Sequence, residues 1–270
     1  RRDRKYNNMI KITPDIKSNI QQLDSCEERI DFIKDKYSGK TAVILLTGPS
    51  LNDHDHVKMR EMFSKRDDLV IMPVKQAYNA TLETSDFHIM NHWNIDKKTP
   101  FNYKSKDTIQ FWNCTMSFLQ NHIDCIQDNN HPCDIWIPVI NHPYITREQS
   151  IQATCNFELF WDLGKEYKSW WGTSITYSTA IPLALHIGCK DIVIVAWDLK
   201  LTPETADHFY KDSSLPGKSV PIDIKEELEV IESSIKLYDW FKNLGIRIRV
   251  LSKASPVDER IERLNSIEDI

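Results

Sequence analysis

Glycine is scarce in this chain, seven in 270 residues, which excludes glycine-rich linkers or repeats and makes each glycine stand out. No run approaches the roughly 18 apolar residues that a membrane-spanning helix needs. The amino terminus, Arg1-Arg2-Asp3-Arg4-Lys5, is basic but lacks the apolar core of a secretory signal. Six cysteines lie far apart without a C-x-x-C pair, which favours reduced structural thiols in a cytoplasmic protein over a disulfide framework. Basic residues form no stripe and the formal net charge is −5, so nucleic acid is not the expected partner. Neither a G-x-x-x-x-G-K-[ST] loop nor a G-x-G-x-x-G fingerprint occurs, which leaves the P-loop and ordinary dinucleotide folds without support.

What the chain does have is a series of short apolar runs: 42–47, 69–74, 87–90, 109–112, 135–139, 192–197 and 246–251. Each is too short for a typical helix and is closed by polar or breaker residues, the pattern of strands buried on both faces. Between them, Thr176–Ile187 and Ile224–Asn243 read as helices, and residues 13–37 have helical character up to Gly39. Strands alternating with helices predict an α/β fold, a mostly parallel doubly wound sheet with helices on both faces. The Ile/Arg alternation of the last run predicts a half-exposed strand near an edge. Residues 141–172, rich in Trp and Tyr, give no clear element.

In such a sheet, ligands bind beyond the carboxyl ends of the strands. Those ends carry Gly48-Pro49-Ser50-Leu51-Asn52, Lys75-Gln76, Asn91-His92-Trp93-Asn94, Asn113 and Asp198. The first is the most pointed: Ala42-Val43-Ile44-Leu45-Leu46 runs into a Gly-Pro-Ser turn, and a helix covering roughly 55–65 follows, capped by Asn52 or Asp53. A strand, a tight turn and a helix start form the geometry that presents backbone N–H groups to a phosphate, although an ordinary βα turn has the same outline.

Two segments carry a resemblance. One is the strand ending in Gly48-Pro49-Ser50-Leu51. The other runs from Thr176-Tyr177-Ser178-Thr179 through Gly188-Cys189-Lys190-Asp191-Ile192 to Trp197-Asp198. Together they resemble the bacterial lipooligosaccharide sialyltransferases and the wider group that includes motility-associated glycosylation factors and archaeal hydroxymethylpterin pyrophosphokinases. The resemblance covers roughly residues 40–255. It implies a Rossmann-like nucleotide-binding fold and, in the sialyltransferase branch, transfer of a CMP-activated sugar without a metal or other cofactor. Gly48, Pro49 and Ser50 then hold the phosphate and ribose, and Asn91 contacts the nucleotide. Lys75 or Gln76 stands where the sialyltransferases have a further asparagine. Thr176 supplies a small hydroxyl to the ligand and Asp198 matches the acidic residue that ends the following strand. His208, in Asp207-His208-Phe209-Tyr210, matches the His-aromatic motif of the general base. The Asp-to-His interval is shorter than in the sialyltransferases, and Tyr177 and Tyr210 are the candidates for their phosphate-gripping tyrosines.

The residue types suit that chemistry. An imidazole titrates near physiological pH and serves as an acceptor base. His208 lies in a stretch, 202–221, with Pro203, Pro216 and Gly217, which predicts a lid-like loop that keeps water from a reactive donor. Asp53-His54-Asp55-His56 looks metal-like, but its side chains project in different directions at a helix start, and no metal site is expected. The predicted organisation is an N-terminal helical arm (1–38), a nucleotide-binding catalytic domain (39–255) and a C-terminal helical tail (256–270). Expected partners are a nucleotide sugar and a glycan or glycoconjugate acceptor. Two other functions stay open: diphosphate transfer from ATP to a pterin alcohol, and a non-catalytic nucleotide-binding module.

Overall fold

The computed structural model describes residues 12–91, 104–115, 133–140, 169–170, 175–198, 224–252 and 255–270. Within them lie helices α1 (Thr13–Ile20), α2 (Cys26–Ile33), α3 (His56–Phe63), α4 (Tyr78–Thr81), α5 (Ile181–His186) and α6 (Ile224–Leu244). The strands are β1 (Thr41–Leu45), β2 (Leu69–Pro73), β3 (Phe87–Asn91), β4 (Ile109–Thr115), β5 (Ile135–Ile140), β6 (Ser169–Trp170), β7 (Asp191–Val195), β8 (Arg247–Leu251) and β9 (Glu262–Arg263). All seven apolar runs are strands, and every described strand pair is parallel.

The strands form two sheets, β2-β1-β7-β8-β9 and β3-β4-β5-β6. A parallel bridge between Val74 and Ile89 joins them at β2 and β3. Asp86 secures the junction: its N–H donates to the Ile71 carbonyl at 2.9 Å while its carboxylate accepts the Ile71 N–H at 2.8 Å. Asp134 repeats the device between β5 and β4, donating its N–H to the Gln110 carbonyl at 3.0 Å and accepting the Gln110 N–H at 2.8 Å. A carboxylate placed just before a strand thus fixes the register of its neighbour, where a one-residue slip would turn every side chain to the wrong face.

Alternate residues of the strands feed two cores. Ala42, Ile44, Val70, Met72, Ile192, Ile194 and Val250 pack with Ile16, Ile20, Ile30, Ile33, Leu183 and Phe241 from α1, α2, α5 and α6. Val43, Leu45, Ile71, Val193 and Val195 pack on the other face with Met59 and Phe63 of α3, and with Leu264 and Ile267. Helices therefore cover both faces, as the apolar runs of the strands require.

Several local expectations change. Residues 13–37 form two helices because Ser25 starts a new one: its side chain accepts the Glu28 N–H, and Glu28 caps Ser25 in return. Both helices share the core of the sheet. Helix α3 is capped by Asp55, which accepts the Val57 and Lys58 N–H groups, rather than by Asn52 or Asp53. Strand β8 does lie near an edge, beside the two-residue β9, and Arg247 is exposed, but Arg249 is buried, forking onto Asp191 at 2.7 and 3.2 Å. Residues 256–270 contain a strand and only one 3₁₀ turn, Ile267–Asp269. Cys26, Cys133 and Cys189 are free thiols, and burial pushes Cys26 and Cys189 up to about 12, so both stay protonated. No described helix is long and apolar enough to cross a membrane.

Candidate functional site at the ends of the strands

The strand order changes direction at β1. From β1 the chain crosses through α3 to β2 on one side, whereas β7 leads through α6 to β8 on the other. Helices α3 and α6 pack on opposite faces. The carboxyl ends of the strands at this reversal are the place where an open parallel sheet offers a ligand site.

The β1 loop is pressed against the end of β7. Gly48 has an extended backbone that any residue adopts, so space rather than conformation demands glycine. A Cβ there would lie 2.4 Å from the Ala196 carbonyl oxygen and 2.6 Å from Asp198 Oδ2. Pro49 then opens a 3₁₀ turn, Pro49–Asp53, at a position where its missing N–H costs nothing. The Ser50 N–H donates to Asp198 Oδ2 at 2.7 Å, and the Ser252 hydroxyl at the end of β8 donates to Asp198 Oδ1. The Leu51 N–H bonds the Gly48 carbonyl. The donors expected to face a phosphate are thus partly engaged: a protein carboxylate already supplies the anion at this turn. Ser50 Oγ is buried and has no hydrogen-bond partner among the described residues.

Both strands that flank β1 end in a non-glycine residue with left-handed backbone, Lys75 at φ 51° after β2 and Ala196 at φ 57° after β7. Such residues cost about 1–2 kcal/mol each relative to the right-handed region. Lys75 is tied from below: the buried His88 on β3 bonds its carbonyl through Nε2 at 2.8 Å. Burial pushes His88 down to about 4, against the weaker opposing pull of that carbonyl. The ring is neutral at ordinary pH, so Nε2 carries the proton it donates to the carbonyl. Tyr78 packs over the same imidazole, ring centroids 4.9 Å apart.

A second polar group lies further along the sheet. Asn113 on β4 stands in register with Asn91 on β3 and donates through Nδ2 to Thr179 Oγ1 at 2.6 Å. Thr179 belongs to a π-helical turn, Thr176–Ala180, that leads into α5 and is buried throughout. Turns of this kind are frequent at functional sites. Tyr177 of the turn meets Trp197 edge to face at 5.6 Å, next to Asp198, and its hydroxyl donates to the Val230 carbonyl.

Of the sequence-derived residues, Gly48, Pro49, Ser50 and Asp198 come together, with Lys75 on the adjoining strand end. Gln76 follows it, half-buried in the 3₁₀ turn Lys75–Ala77. Thr176 is buried in the π-helical turn, whose Thr179 binds Asn113 beside Asn91. His208 and the 202–221 segment lie outside the described residues, as does Tyr210. Asp55 is spent on its cap, and His56 bonds the Leu51 carbonyl at 2.9 Å. Sequence reasoning missed Ser252, Thr179, Ala196 and His88. Ser252 was within reach, since it follows an apolar strand as the other candidates do; His88 was not, since its role depends on the bridge between β2 and β3. No protein-family model, no curated protein and no solved structure matches the chain.

Proposed function

We propose that this chain is a glycosyltransferase on a Rossmann-like sheet, taking a CMP-activated sugar without a metal and passing the sugar to a glycan or glycoconjugate. The observation that carries this reading is the reversal of strand order at β1, where Gly48 admits close backbone approach and Asp198 locks the Ser50 turn. The engaged Ser50 N–H divides the labour. Asp198 holds the turn, Ser50 Oγ suits a hydroxyl group such as one of a ribose, and the charge of the donor phosphate falls to Lys75. Gln76, Asn91 and Thr176 complete the nucleotide contacts. In transfer, the acceptor oxygen bonds the anomeric carbon, the bond from that carbon to the CMP phosphate oxygen breaks, and His208 takes the acceptor proton. Asp198 acts by positioning, since both of its oxygens already accept hydrogen bonds.

Thermal stabilisation by CMP, CDP, UDP, GDP and ATP, each with and without Mg²⁺, tests the reading. A ligand at a hundred times its Kd adds about 2.7 kcal/mol, a Tm rise of roughly 5–10 °C for a protein of this size. The expected result is a rise with CMP that ignores Mg²⁺, with His208→Ala keeping CMP affinity and losing transfer. A rise only with ATP and Mg²⁺ would replace this function by diphosphate transfer, and unchanged turnover in His208→Ala would remove the histidine from the mechanism.

A further inference from the structure

The buried imidazole under the end of β2 has no role in the proposed reaction, and its surroundings point to one. His88 is fully buried on β3, between the apolar Phe87 and Ile89. A polar ring in such a place needs a partner, and its Nε2 finds one in the carbonyl of Lys75. That carbonyl belongs to a non-glycine residue whose backbone is left-handed. A lysine there is under strain, and the strain persists only where the surroundings over-determine the conformation. The surroundings do so from three directions. The Val74 N–H bonds the Leu45 carbonyl of β1 at 2.9 Å, Val74 bridges to Ile89 of β3, and His88 holds the next carbonyl. Tyr78 fixes the ring in turn, and its hydroxyl is held by the Lys104 N–H at 3.0 Å. Residue 75 therefore leaves β2, the neighbour of the strand that ends in Gly48, with a backbone that an unrestrained lysine would not keep.

We propose that His88 is a positioning residue: it clamps Lys75 in the left-handed conformation and so sets where the end of β2 meets a ligand at the strand ends that carry Gly48 and Asp198. The inference deepens the nucleotide-site reading and rests on it for the identity of the ligand, but the clamp itself has a ligand-free readout.

The test measures CMP affinity by calorimetry in the intact chain. His88→Gln keeps an N–H donor at the Nε2 position and holds Kd within about twofold. His88→Phe keeps the ring against Tyr78 but removes the donor; residue 75 relaxes and Kd rises at least about tenfold. In a Lys75→Gly background a left-handed backbone carries no strain, and the same His88→Phe change moves Kd by less than about threefold. A purely structural histidine would lower Tm and leave Kd unchanged in every background, which overturns the proposal; equal losses in both backgrounds overturn it as well. Should His88→Phe fail to fold, position 75 gives the answer: Asn tolerates the left-handed region and Val does not. Lys75→Asn must then bind CMP at least about fivefold more tightly than Lys75→Val, and equal affinities refute the clamp. If wild type binds no nucleotide, the site reading fails by itself and the clamp is judged on stability. Lys75→Gly raises Tm when His88 is present and raises it less in His88→Phe; no rise in either refutes it.

Discussion

The two ends of the sheet use polar side chains for different purposes. At the amino ends of the strands, buried polar groups fasten helices and register. Thr13 on α1 donates to Asp86 at 2.6 Å, Lys17 reaches the Thr108 carbonyl at 2.6 Å and Asp134 at 3.2 Å, and Arg29 on α2 bonds the Asp134 carbonyl. Arg249 and Asp191 pair across β7 and β8. The residues that make these contacts all keep ordinary negative-φ backbone. At the carboxyl ends the polar groups hold backbone in unusual places instead: Asp198 grips the Ser50 turn, and His88 grips left-handed Lys75. Polar groups at one end therefore stabilise the fold, and at the other they hold strain where a ligand would sit.

The contrast is open to attack. Asp86→Ala strands the Ile71 N–H in a buried setting, leaves the Thr13 hydroxyl with Tyr37 alone and opens a void, a loss of roughly 2–4 kcal/mol. We expect a large fall in Tm by calorimetry, with CMP affinity unchanged at low temperature; weakened binding would mean that the two ends are not independent. His88 gives the next effect. Unfolded, it takes a proton near its ordinary 6.5, but folded only near 4. As pH falls from 6.5 to 4, the unfolded state gains a proton that the fold refuses, and stability drops by roughly 3 kcal/mol from this group. His186, also depressed by burial, adds in the same direction. Denaturant titrations across that window should show a shallower decline in His88→Gln, and an identical decline would contradict the buried neutral imidazole.

Gly48→Ala pushes a methyl group against the Ala196 carbonyl and Asp198, costing about 1–3 kcal/mol and, unlike Asp86→Ala, abolishing CMP binding. Retained binding in this variant would separate the turn from the ligand. The smallest effect has the opposite sign. Ala196→Gly relieves a left-handed alanine at some entropic cost; a gain of about 0.5–1 kcal/mol should appear as a Tm rise of a few degrees.

Much of this was legible in the residues. The seven longer strands announce themselves as apolar runs because both faces of a parallel sheet are covered. The two-residue strands β6 and β9 carry no such signal, since their pairing is decided by neighbours rather than by their own side chains. Arg249 misled for the same reason: alternation suggested exposure, but Asp191 makes its burial tolerable. At the site, Gly48, Ser50 and Asp198 were readable as strand-end residues. Their bonding was not, because it joins residues 148 positions apart in sequence. His88 was hidden in an apolar run, where only the junction of β2 and β3 reveals its partner.

That separation of 148 positions has a temporal meaning. Strand β1 and its Gly48–Ser50 turn leave the ribosome long before Asp198. At about 5–20 residues per second, the wait is roughly 7–30 s. During it one edge of β1 has no β7 to pair with and the turn lacks the carboxylate that fills it. The nascent chain thus displays an open strand edge beside an unpaired Ser50 N–H, and the turn is locked only when Asp198 arrives. Slowing synthesis between β1 and β7 would lengthen that exposure, so this interval is where co-translational chaperones have the most to protect.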